Sequence, residues 1–237
     1  MLIERPLISK TKQKLVILVI NGLLLHIGNK FDILSDCIAD KFISGKAILK
    51  TQSCVDFMKF CFQRFNVGVW SSRTKQNLDG VLDIAMGDMK SQLLFCWDQS
   101  RCSTTGFYTV KNNVKPLMLK KLVKLWDKDD PNLLWKREYN ESNSLLLDDS
   151  PYKAFLNPAH TAIFPTSCDF RNKNDNSLGH GGDIRMYLEG LTTSENVQKY
   201  IQQHHFGQLA ITKSHPCWQH YLQVINSRLQ APSERGL

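Results

Sequence analysis

Three apolar runs in this chain each give way abruptly to a short polar sequence, and that repeated pattern restricts the fold more than any other feature. Lys14 to Ile20 is a β-branched run stopped by Asn21-Gly22, Asn66 to Trp70 passes into Ser71-Ser72-Arg73, and Ser144 to Leu147 breaks into Asp148-Asp149-Ser150-Pro151. Unbroken apolarity, rather than alternation, is what a strand buried on both faces requires. A fourth short run, Thr161 to Phe164, is closed by Pro165. Helical spacing fills the gaps. Val55 to Phe65 gathers Phe57, Met58, Phe60, Cys61, Phe62 and Phe65, and Thr74 to Met86 sets Leu78, Val81, Leu82 and Ala85 on one face. Strands separated by helices predict a mostly parallel α/β sheet. Ligands of such sheets bind beyond the carboxyl ends of the strands, so the three polar stretches are expected to meet in one crevice.

The remaining segments read less sharply. Leu93 to Trp97 is another short apolar run. Asp98 to Asn113, with Gly106 and alternating Phe107 and Thr109, predicts a small β insertion or a long loop. Pro116 suits the first position of a helix reaching about Trp126, with Leu117, Leu119, Leu122, Val123 and Trp126 apolar. Asp127 to Glu141, charged and broken by Pro131, reads as a surface connection, and the Gly-rich Thr166 to Asp183 as a loop. Helices are expected over Ile184 to Leu191, Ser194 to His204 and Cys217 to Leu229. The division expected is a short basic opening over 1–13, one domain over 14–230 and a polar tail over 231–237.

With 237 residues, 42% of them apolar, the chain can bury a substantial core. Its formal charge of +8 suits an acidic partner such as a phosphoprotein. Lys10, Lys12 and Lys14 cluster near the start, but no long basic run and no aromatic-interleaved basic motif argues for direct nucleic-acid binding. Seven cysteines, an odd number without a CxxC pair, point to reduced thiols in an intracellular protein. No stretch approaches the roughly 20 apolar residues of a membrane span, and the opening has no signal-peptide core. The expected compartment is nucleus or cytoplasm.

Adjacent carboxylates at a strand end are costly unless a cation neutralises them, so Asp148-Asp149 suggests a Mg²⁺ site of hard oxygen ligands; a solvated turn or helix cap is the plainer alternative. Ser71 is placed to donate a hydrogen bond to a phosphate oxygen, or simply to cap a helix. Lys115, just before Pro116, is a candidate for the fixed positive charge that steadies a phosphoryl group, although most exposed lysines have no such role.

Taken in order, these segments resemble the motifs of haloacid dehalogenase-like phosphatases. Trp70-Ser71-Ser72, Val114-Lys115, Leu147-Asp148-Asp149-Ser150-Pro151 and Asn157-Pro158 look more closely like the NLI-interacting-factor, or polymerase C-terminal-domain phosphatase, family. Asn66 to Arg73 and Tyr139 to Asn143 are reminiscent of a plant branch of it. The resemblance implies a Rossmann-like three-layer domain with an insertion after the second motif, a Mg²⁺ cofactor, and a first strand ending in a DxDxT-type motif. The first aspartate of that motif attacks the phosphate and the second acts as acid and base. Here Val19 stands at the nucleophile position, Asn21 at the acid/base position and Leu23 at the threonine, with Asn21, Asp148 and Asp149 left as candidate metal ligands. Valine has no lone pair for phosphorus or metal, and an amide exchanges no proton near neutral pH. Metal binding is therefore expected to be weakened or lost.

Three functions are compatible with this pattern. The first is a catalytically impaired phosphatase domain that binds a phosphoprotein or acidic segment. A second, of another class, is a presequence-binding receptor subunit of the mitochondrial inner-membrane protein translocase, which uses the same fold and tolerates a dead site, and which would require a targeting peptide and an anchor. The third is an active protein phosphatase with a displaced nucleophile, for which Asp32 and Asp36 are the nearest acidic residues.

Overall fold

The first apolar run forms strand β1, Leu15–Leu18, and all four of its residues are buried. A computed structural model describes residues 14–29, 38–135, 137–172 and 174–230. The basic opening over 1–13, Asp32, Asp36 and the tail over 231–237 lie outside the described residues.

After β1 the chain turns through Asn21 and Gly22 into an antiparallel three-stranded sheet of β2 (Leu25–Asn29), β3 (Lys41–Ile43) and β4 (Lys46–Lys50), ordered β2-β4-β3. Helix α1 (Cys54–Arg64) returns to β5 (Asn66–Trp70), helix α2 (Lys75–Met86) leads to β6 (Phe95–Trp97), and a hairpin follows from β7 (Ser103–Thr109) and β8 (Asn112–Leu119). Strands β9 (Ser144–Leu147) and β10 (Ala162–Ile163) precede helices α3 (Asp183–Thr193), α4 (Val197–Gln203) and α5 (Trp218–Gln230).

The main sheet has the order β10-β9-β1-β5-β6, and every pairing in it is parallel. From β1 the chain steps outward to β5 and β6, then crosses back to build β9 and β10 on the other side. The strand order therefore reverses between β1 and β9, and this switch point is where open α/β sheets hold their ligands. The register is tight there: Leu18 lies level with Val69 on one side and with Leu147 on the other.

The alternation of strand side chains makes two cores. Val16, Leu18, Val67, Val69, Leu145 and Leu147 pack under the apolar faces of α1 to α4, including Phe57, Phe60, Leu78, Leu82 and Leu188. Leu15, Ile17, Trp70 and Leu146 face the opposite way, onto Leu122, Leu125, Leu133, Trp135 and Tyr139. Helices thus cover one face of the sheet, and a largely irregular segment covers the other.

That second layer corrects two sequence expectations. The helix expected from Pro116 is absent: residues 112–119 are β8, paired antiparallel with β7, and Pro116 sits opposite Tyr108 beside register shifts. Leu117 and Leu119 point inward with a period of two, and a short 3-10 turn over Leu122–Lys124 carries the chain on. The missing proline N–H is harmless at an irregular ladder position, and the apolar spacing that reads as helical is a strand followed by a turn. The connection after Asp127 is not confined to the surface, because Leu133, Trp135 and Tyr139 are buried against the sheet. The hairpin is the β insertion expected between Asp98 and Asn113, and Leu117 and Leu119 pack with Tyr221 and Val224 of α5.

All the cysteines among the described residues are free. No helix among the described residues is long and apolar enough to cross a membrane.

Candidate functional site

At the switch point the carboxyl ends of four strands bring the candidate residues to one edge of the sheet. Val19 follows β1 directly, is buried, and donates its backbone N–H to Leu147 O at 3.1 Å, which puts it against the start of the Asp148-Asp149 pair. Asp148 N–H is held by Ile163 O at 3.2 Å and Ser71 N–H by Trp97 O at 2.7 Å, so each polar strand end is pinned by the neighbouring strand. Asn21 is exposed, and its side-chain oxygen accepts the Ile27 N–H at 2.8 Å, bracing the turn into β2. Gly22 has φ of 84°, and a Cβ there would lie 2.2 Å from Asp149 Oδ2. Only glycine lets this turn press so closely on the carboxylate.

Asp148 is fully buried and is gripped by two lysines. Lys120 Nζ donates to its Oδ2 at 2.5 Å, and Lys153 Nζ to its Oδ1 at 2.8 Å; Ser150 N–H adds a third bond, to Oδ1, at 3.0 Å. Asp149 Oδ1 accepts from Ser150 Oγ at 3.1 Å, its Oδ2 accepts from Ser167 Oγ at 2.5 Å, and Lys153 Nζ lies 3.7 Å from its Oδ1. Burial pushes the Asp148 carboxyl up, but Lys120 and Lys153 outweigh it and hold the group down at about 2. Burial also opposes the Lys153 charge, yet Asp148 and Asp149 raise its pKa above the ordinary lysine value. Lys120 is pulled below that value by burial, with Asp148 acting against the shift. Two carboxylates meet two ammonium groups, a buried cluster that is neutral as a whole.

Local structure explains how both lysines arrive. Lys120 ends the β7–β8 hairpin, and Asn157 clamps it by donating to Lys120 O at 2.8 Å while accepting the Leu122 N–H at 2.9 Å. Pro151 opens a 3-10 turn over Pro151–Ala154 that carries Lys153 back beneath the carboxylates, and Lys120 N–H bonds to Lys153 O at 2.8 Å.

The lysine that the hairpin brings to Asp148 is Lys120, and Lys115, expected from the sequence to approach this crevice, lies elsewhere. Lys115 is exposed on β8, with its ammonium 6.0 Å from the Tyr152 ring and no contact with the cluster. Lys115 lies in the exposed outer half of β8, whereas Lys120 follows the strand's buried end, where its backbone N–H bonds to Lys153 O. Lys153 was missed altogether. Its signal was the spacing from Asp149, four residues on and just past a proline able to start a tight turn. Ser71 is buried at the end of β5; its Oγ accepts the Arg73 N–H at 3.1 Å and keeps a hydroxyl proton to donate. Arg73 is half-buried, with its pKa lowered by burial, and among the described residues no carboxylate lies within ion-pair distance of it.

These groups do not fit a divalent metal. The Val19 side chain supplies no oxygen, the Asn21 side-chain oxygen is taken by the β2 backbone, and both Asp148 oxygens are occupied by lysines. Among the described residues no group of three or more His, Cys, Asp or Glu is placed to hold a metal ion. Mg²⁺ demands near-octahedral oxygen ligation and keeps several waters, for which a carboxylate closed in by ammonium groups has no space.

A mostly parallel α/β sheet whose switch point gathers a serine, a lysine and paired aspartates from successive strand ends is the arrangement of a haloacid dehalogenase-like phosphatase domain. The sequence signature described as NLI interacting factor-like phosphatase matches residues 14–198, and the chain belongs to that family. Phosphatases of this kind typically depend on Mg²⁺. The chain is 26% identical over 211 residues to an uncharacterised FCP1 homology domain-containing protein of Schizosaccharomyces pombe, covering 84% of this chain and 79% of that one. Two solved structures of the fission yeast RNA polymerase II CTD phosphatase Fcp1, one of them bound to beryllium fluoride, each cover 91% of this chain with a TM-score of 0.44 at 13% and 12% identity. This chain spans 63% and 62% of their lengths.

Proposed function

We propose that this is a phosphatase-homology domain that has lost covalent phosphoryl transfer and acts by binding a phosphorylated or acidic protein segment. The observation that carries the reading is Val19. It directly follows β1, in the place where the family's attacking carboxylate belongs, is buried among apolar side chains, and has an amide rather than an acid two residues on, at Asn21. No aspartyl-phosphate can form on an isopropyl group, and an amide cannot protonate the leaving oxygen or activate water near neutral pH. Loss of a nucleophile in hydrolases costs on the order of 10⁶ in turnover.

Binding requires less. Ser71 offers a hydroxyl donor at the end of β5, and Arg73, two residues on, whose backbone N–H bonds to that hydroxyl, has no carboxylate partner among the described residues. Charge-assisted hydrogen bonds from such a pair favour a phosphate or carboxylate group. The net charge of +8 supports encounter with an acidic segment.

The test is a phosphatase assay on phosphoserine peptides, with and without Mg²⁺, alongside fluorescence anisotropy of the same peptides. The expected result is no turnover by the parent, phosphate-dependent binding, and loss of that binding in Ser71→Ala and Arg73→Gln. Turnover by the parent that survives Asp148→Asn would overturn the proposal, as would equal affinity for the phosphorylated and unphosphorylated peptides.

A further inference from the structure

The two ion pairs at Asp148 are not equivalent. Lys120 meets Asp148 alone, through Oδ2, whereas Lys153 stands between the two carboxylates, 2.8 Å from Asp148 Oδ1 and 3.7 Å from Asp149 Oδ1. One positive charge shared by adjacent carboxylates at the end of β9 is what a divalent ion supplies in a site of this design. We infer that Lys153 is a built-in cation that takes the place of the metal and makes the pocket independent of divalent ions.

Four observations support this. Lys153 is almost completely buried, and it is delivered by a turn that begins at Pro151, so the ammonium is held in place rather than reaching in from solvent. The turn is tied to β8 through the Lys120 N–H to Lys153 O bond, and therefore to the second lysine of the cluster. Each carboxylate oxygen at the site already has a donor within the chain. Finally, Val19 and Asn21 remove two negative charges that a divalent ion would otherwise help to balance, so Lys120 and Lys153 alone neutralise Asp148 and Asp149. A metal entering here would meet an ammonium at ion-pair distance and would have to compete with the donors that each carboxylate oxygen already has. This holds whatever the pocket binds, so it stands apart from the phosphopeptide reading.

The experiment is a Mn²⁺ titration of the full chain followed by electron paramagnetic resonance, with thermal unfolding measured in Mg²⁺ and in EDTA. For the parent, the expected result is the spectrum of free aquo Mn²⁺ and the same melting temperature in both buffers. Lys153→Ser opens the space and removes the charge. It should raise the apparent Mn²⁺ affinity by about tenfold or more, the least expected on removing a like charge at such range, with a bound spectrum that Mg²⁺ displaces and Asp149→Asn abolishes. Lys153→Arg keeps the charge and should remain metal-free. If Lys153→Ser does not fold, Lys153→Gln takes its place, and the parent titration still decides. A bound Mn²⁺ spectrum in the parent that Asp149→Asn removes would overturn the inference, as would a folded neutral variant at Lys153 that gains no site.

Discussion

A buried carboxylate is tolerated only when it is paired, and Asp148 shows how much of this site depends on that condition. Its pKa is held at about 2, below the ordinary 3.8, so its ion pairs contribute stability that is fully present above the ordinary value and is lost as pH falls through the folded one. Urea unfolding of the parent and of Asp148→Asn should therefore differ most near neutral pH and converge as pH drops from about 4 towards about 2. A gap that widens on acidification would show that Asp148 is not ionised in the folded protein. Asp148→Ala leaves two buried ammonium groups facing each other across a cavity, and is expected to cost about 3–5 kcal/mol. At this scale the sequence made some roles plain and left others hidden. Val19 and Asn21 could be placed at the end of the first strand because a short strand followed by a turn fixes their position. Lys120 and Lys153 could not, because what makes a lysine part of a site is which carboxylate the fold carries it to.

Individual elements divide along the same line. Strands β1, β5 and β9 were recognisable because strands buried on both faces are apolar throughout, and the helical faces of α1 and α2 because their partner is the large core they help to make. Strand β8 was not recognisable: its inward residues Leu117 and Leu119 continue into Leu122 and Leu125, and only pairing with β7 selects the extended form. The segment after Asp127 misled in another way, since its charged residues conceal a few aromatic anchors. Trp135 is buried, donates its indole N–H to Leu125 O at 2.9 Å, and stacks obliquely on Phe95 with ring centroids 5.1 Å apart. Trp135→Ala should cost about 3–5 kcal/mol in chemical denaturation, whereas the half-exposed Val123→Ala should stay within about 0.5 kcal/mol. Equal effects would mean that this segment is not a second cover for the sheet.

For the whole molecule, the reversal of strand order between β1 and β9 turns three distant polar stretches into one site. The net charge of +8 acts over the same scale, and the association rate with an acidic phosphopeptide should fall steeply as salt is raised, while dissociation changes little. A rate indifferent to ionic strength would remove electrostatic attraction from the proposed binding. The sequence by itself determined the parallel α/β class, the approximate position of the crevice and the absence of a carboxylate at the end of the first strand, because runs of apolar residues and the identity of a side chain are local facts. Only the tertiary structure decided which lysines enter the crevice and what balances the aspartates. Those outcomes depend on charge burial and strand pairing between segments far apart in the chain, where the penalty for an unpaired charge selects one arrangement.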